Sequence, residues 1–159
     1  MELVESIDLG LDIDQAATAQ SADSFLRHDF RKYLLRAGMR YSDLLSGTQL
    51  DPTGVASHGK NSAEKRLVKI LDMQERCLAV YQAIEHCSDM QKQPYKKILE
   101  CLYFKHLTDY QTAIQVGYSK SRLSDLKKSA LCEFADAIDT WKVYYDVDIP
   151  DLKVEKKKK

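Results

Sequence analysis

A chain of 159 residues that is 44% hydrophobic and 30% charged holds one ordinary domain or two small ones, with apolar content enough for a core. Six glycines and three prolines are too few for the turns of an all-β sandwich. No apolar run is long enough to span a bilayer, and Met1–Glu5 does not open like a secretory signal. The expectation is therefore a helical, cytoplasmic protein with no membrane partner.

Residues 1–22 are acidic and weakly patterned, which reads as a flexible N-terminal arm. From Asp23 the spacing of Phe25, Leu26, Phe30, Tyr33, Leu34 and Ala37 predicts a helix that stops at Gly38, with Arg27, Arg31, Lys32 and Arg36 on a solvated face. Ser46 to Ser62 gathers Gly47, Asp51-Pro52, Gly54, Gly59 and Asn61, so residues 23–62 read as an N-terminal helix followed by a loop.

Asn61 and Ser62 offer caps for a helix over about residues 63–87, with Glu64 three positions after Asn61 as a capping box asks. It should be the longest helix of the chain. Its seven-residue echo, Leu67, Gln74, Tyr81 and Ile70, Cys77, Ile84, suits either a homodimer seam through this central helix or packing against the N-terminal helix of the same chain. The cysteines at 77, 87, 101 and 132 form no C-x-x-C pair and read as small buried apolar side chains, with no metal or disulfide expected.

Ser88-Asp89-Met90-Gln91 is a second capping pattern, followed by Pro94 and an apolar stripe of Tyr95, Ile98, Leu99, Leu102 and Tyr103. Thr108-Asp109-Tyr110-Gln111 is a third, opening a short helix that must end by Gly117. Ser119 can cap another helix in which Leu123, Leu126, Ala130, Leu131 and Phe134 share one side. Together these give an all-α protein of four or five main helices, with a long central helix and a C-terminal helix-turn-helix at about residues 107–131 inside a unit spanning 63–137.

A helix-turn-helix needs a small residue at the close approach and a turn residue that accepts a left-handed backbone, roles suited to Ala113 and Gly117. If Val116, Leu123 and Leu126 fasten the second helix, its outer face carries Ser119, Lys120, Ser121, Arg122, Ser124, Asp125, Lys127 and Lys128. Hydrogen bonders and cations in that order suit phosphate contact at the helix start and base-edge reading along it. The net charge of zero hides the same segment. Residues 1–60 hold 6 basic and 9 acidic side chains, and residues 92–131 hold 8 basic against 3 acidic, a net of +5. Residues 133–155 swing back to −5, with 2 basic and 7 acidic groups. A duplex meets the basic stretch, not the average. Double-stranded DNA is thus the partner expected from the residues.

The run from Tyr103 to Ile114, the Val116-Gly117-Tyr118-Ser119 turn and the stretch from Leu126 to Asp136 resemble the ArpU family, phage and phage-like transcription regulators of Gram-positive bacteria associated with late, lysis or packaging genes. Leu50-Asp51-Pro52-Thr53-Gly54-Val55 is similar to a pattern of that family as well, and the likeness covers about residues 23–137. It implies a C-terminal helix-turn-helix like the promoter-reading fourth region of sigma factors, with Ser119, Lys120, Ser121, Arg122, Ser124 and Lys128 toward DNA and RNA polymerase as a further partner. Residues 138–159 depart from the family, being acidic with Trp141, Tyr144 and Tyr145 before a lysine tail.

The histidines at 28, 58, 86 and 106 are scattered, and Asp146, Asp148 and Asp151 lack the turn glycine and distal Glu of an EF-hand. No phosphate loop or nucleophile motif occurs, so neither an enzyme nor a cofactor is expected. Two other roles fit the same residues: a small DNA-recognition subunit of a phage packaging complex, and a helical protein-binding adaptor without DNA binding.

Overall fold

The computed structural model describes residues 13–46 and 61–156, whose regular structure is helical apart from two isolated bridges, Ile13 with Glu155 and Met90 with Gln93. The chain runs α1 (Gln15–Ser24), a π turn (Phe25–Asp29), α2 (Phe30–Ala37), α3 (Tyr41–Leu45), α4 (Asn61–Glu85), α5 (Tyr95–Leu99), a second π turn (Glu100–Phe104), α6 (Asp109–Val116) and α7 (Lys120–Tyr145). The all-α expectation holds.

The N-terminal reading needs correction, because residues 15–22 are not an arm. The Asp14 carboxylate accepts the Ala17 N–H at 3.0 Å and caps α1, whose Thr18, Ala19 and Ala22 are buried. Small side chains let α1 lie close against α7, and they leave no amphipathic stripe to read. The π turn that follows is a step of five, with Phe30 N–H bonded to the Phe25 carbonyl. The extra residue turns both Phe25 and Phe30 inward. The second π turn does the same by a bond from Lys105 N–H to the Glu100 carbonyl at 2.9 Å, burying Cys101, Leu102, Tyr103 and Phe104 together.

One core joins all of this. Phe25 meets Phe134 with ring centroids 6.3 Å apart, and Phe30 meets Phe104 at 6.0 Å. The spine is α7, which packs against α1, α4, α5 and α6. At 26 residues it also exceeds α4, at 25, which was expected to be the longest. Its apolar side continues through Ala135 and Ile138, and no glycine or proline interrupts it before Asp146 closes it in the left-handed conformation, φ 54°. The helix therefore crosses residue 138 without a break.

The C-terminal half of α4 belongs to this core, with Cys77, Val80 and Ile84 buried, and Gln74 donates to the Ala37 carbonyl at 3.2 Å. Leu67 and Ile70 in its first half are only half-buried, and Val68 is exposed. Cys77, Cys87 and Cys101 are buried and Cys132 half-buried, all as thiols; burial pushes Cys77 and Cys87 up to about 12. Residues 47–60 of the loop expected at 46–62, with the Leu50–Val55 run, lie outside the described residues, as do the Asn61 and Ser62 side chains expected as caps, while α4 already begins at Asn61.

After α7 the chain doubles back as a strap. Ile149 and Leu152 are buried, the Val154 carbonyl accepts the Asp14 N–H at 2.7 Å, and the Val154 N–H donates to the Thr18 hydroxyl at 3.0 Å. Lys153 bridges Asp136 and Asp139 on α7 at 3.3 and 2.8 Å. The acidic segment thus folds onto α1 and the far half of α7, not over the basic start of α7.

Candidate nucleic-acid interface

The candidate interface begins at the cap of α6. The Thr108 hydroxyl accepts the Gln111 N–H at 3.1 Å while the Gln111 side-chain oxygen accepts the Thr108 N–H at 2.9 Å, which starts the helix at both orphan donors. Thr112 and Ala113 are buried on its inner face. The helix ends at Gly117, φ 80° and ψ 29°, a left-handed conformation that favours a residue without Cβ. The Ala113 carbonyl accepts from both Gly117 N–H at 2.9 Å and Tyr118 N–H at 3.0 Å, and the Ile114 carbonyl accepts a second contact from Gly117. This is the Schellman closure of a helix.

Two residues later the Ser119 hydroxyl accepts the Arg122 N–H at 3.1 Å and α7 begins. Leu123, Leu126, Ala130, Leu131 and Phe134 are buried, as expected, so α7 has one rotation about its axis and the opposite side looks outward. Ser119, Lys120, Ser121, Arg122, Ser124, Asp125 and Lys128 are all exposed. The structure places these seven on one continuous outer face. Lys127 is set apart: it is half-buried, with Nζ 3.7 Å from the Asp109 carboxylate at the start of α6. It joins the two helices on one flank of α7.

The other flank of α7 holds contacts that the sequence did not show. Ser88 does not cap a helix, because α5 starts only at Tyr95. Its backbone N–H and hydroxyl instead both donate to the Glu133 carboxylate, the hydroxyl at 3.0 Å. Met90 and Gln93 exchange two backbone hydrogen bonds at 3.1 and 3.0 Å, and the Tyr118 hydroxyl donates to the Gln91 carbonyl at 2.9 Å. The turn at 90–93 is thereby fixed beside the joint, with an open groove of about 640 Å3 between it and α7. No local signal marks Glu133 for this, since its partner lies 45 residues away.

Chemistry elsewhere is sparse. Glu100 is pushed up to about 7 by burial and by the neighbouring Glu85 carboxylate, while Lys96 forms an ion pair with Glu85 at 3.2 Å. His86 lies tilted against Trp141, with centroids 4.7 Å apart, so the aromatic end of α7 is a packing cluster with Tyr144 at its exposed edge. Among the described residues, no three His, Cys, Asp or Glu side chains converge as metal ligands, and no helix is long and apolar enough to cross a membrane.

No family model matches the chain, and no solved structure matches it. Over 131 residues the chain is 27% identical to a protein of Enterococcus hirae named "Putative autolysin regulatory protein ArpU", an alignment that spans 79% of this chain and 89% of that protein. The similarity thus runs over most of both chains, to a protein whose name describes it as regulatory.

Proposed function

Starting from that likeness, we propose that the protein is a sequence-specific DNA-binding transcription regulator, with α6 and α7 as a helix-turn-helix and α7 as its reading helix. The observation that carries this is the outer face of α7, seven exposed hydrogen bonders and charges opposite a fully buried side. Lys120, Arg122 and Lys128 supply salt-sensitive phosphate contact, and Arg122 also has the donor fork to read guanine. Ser119, Ser121 and Ser124 position the helix, and Asp125 is an acceptor for a cytosine amino group. Lys127, held by Asp109, keeps the two helices at a fixed angle rather than reaching for DNA. The genes we assign are phage or phage-like late genes, as the sequence resemblance implies, and the relative's name, which speaks of autolysin regulation, puts lysis genes first.

The test is fluorescence anisotropy on fragments recovered bound from the host genome. Arg122→Ala should weaken specific binding by about 1–3 kcal/mol. Unchanged affinity removes Arg122 from the reading set, and indifference of the unaltered protein to any duplex overturns the proposal.

A second reading, a helical adaptor that binds protein and no DNA, draws on Tyr110 and Ile114, which are 64% and 61% exposed one turn apart on α6. In the regulator reading the same pair faces RNA polymerase. Partner capture that survives Arg122→Ala and ignores salt favours the adaptor. A homodimer would use the half-buried Leu67 and Ile70 on α4, and sedimentation of Ile70→Glu tests it.

A further inference from the structure

The turn at 90–93 lies outside the helix-turn-helix, yet it is braced toward it from three directions. Met90 and Gln93 close it by paired backbone bonds, Glu133 of α7 grips Ser88 just before it, and the Tyr118 hydroxyl, from the joint itself, holds the Gln91 carbonyl. Gln91, Lys92 and Gln93 are exposed side chains of this frame, beside the exposed Met90. Across the groove stand Arg122, Asp125 and Ser129, one flank of the proposed reading helix. Lys92 has no carboxylate at ion-pair distance among the described residues, unlike Lys96, Lys127, Lys142 and Lys153.

Duplex geometry gives this placement a meaning. The major groove is about 12 Å wide, and a helix with its side chains is about 10–12 Å across. A helix seated there has a sugar-phosphate strand close along each flank. On the Asp109 flank Lys127 is already paired. On the Arg122 flank the fixed turn borders the same groove as Arg122, and it offers a cation between two amide side chains.

We infer that the Met90–Gln93 turn is a second DNA-contact element that sets Lys92 on a backbone phosphate bordering the groove read by α7. The inference rests on the regulator reading above. Because the turn is braced before DNA arrives, little ordering is required on binding. The contact carries no base information, so it raises affinity for all duplexes alike and fixes the register of α7.

Salt titrations of the full chain on the recovered site and on a scrambled duplex test this. Lys92→Ala should lower the slope of log affinity against log salt by about 0.9, the share of one phosphate, and weaken both duplexes equally. Tyr118→Phe keeps every charge but releases the Gln91 carbonyl, so Lys92→Ala should cost less in that background than alone. An unchanged slope for Lys92→Ala, with a reduced slope for Lys120→Ala, overturns the inference and leaves the regulator reading standing. A loss confined to the specific site also overturns it. Absence of salt-dependent binding by the unaltered protein removes both.

Discussion

Replacing Gly117 by alanine isolates the conformational demand of the joint. The glycine sits at φ 80°, and a Cβ built on it meets nothing within 4 Å. No clash contributes, so the cost is that of holding an L-residue in the left-handed region, about 1–2 kcal/mol. Alanine also narrows the unfolded ensemble, which offsets roughly 0.4–1 kcal/mol. The net loss expected is about 1 kcal/mol, or a fall in Tm of about 2–4 °C for a chain of this size. Gly38, at φ 72° with equally open space, is a matched control, and Gly38→Ala should cost the same. Urea unfolding followed by far-UV circular dichroism gives both values. Only Gly117→Ala should also weaken duplex binding, because Gly38 ends α2 and not the joint. A loss above about 3 kcal/mol at Gly117 would mean that packing, and not backbone conformation, governs the site. Equal effects of the two variants on DNA would refute the role given to the turn.

Two more outcomes follow from local chemistry. Ser119→Ala removes the hydroxyl that caps α7 and should cost about 1 kcal/mol in the same urea assay, with Ser119→Asp, which keeps a side-chain acceptor, costing much less; no loss for Ser119→Ala would show that the cap bond contributes nothing. Glu100 binds its proton more tightly folded than unfolded, its value being raised from 4.5 to about 7. The folded state therefore holds more protons between those values, and stability falls as pH rises through the window. Glu100→Gln should leave stability unchanged near pH 4.5 and raise it at pH 8. With the carboxyl partly exposed, the gain is of order 1 kcal/mol, and an equal gain at both pH values would exclude burial as its cause.

The joint was legible because caps and left-handed turns are chemistry between near neighbours: Thr108 with Gln111, Gly117 with Ala113, Ser119 with Arg122. The outer face of α7 followed from the periodicity of its buried leucines. What escaped depends on partners far along the chain. Helix α1 is seated by Thr18, Ala19 and Ala22, whose small size matters only against α7. Ser88 looked like a cap, but a carboxylate 45 residues later competes for its donors. Lys127 and Lys128 are alike in sequence; only the proximity of Asp109 separates them. Lys92 gained interest solely from the groove that it shares with Arg122.

The strap that ties Val154 to Asp14 and Thr18 also sets an order of events during synthesis. Helix α1 leaves the ribosome before the surfaces that hold it, α7 and residues 149–154, have been translated. Until then Phe25 lacks Phe134 and Thr18 lacks Val154, so this edge of the core is incomplete, a natural handle for chaperones acting on the nascent chain. Seating of α1 is then a closing step, and its amides should be the last to gain protection in pulsed hydrogen exchange.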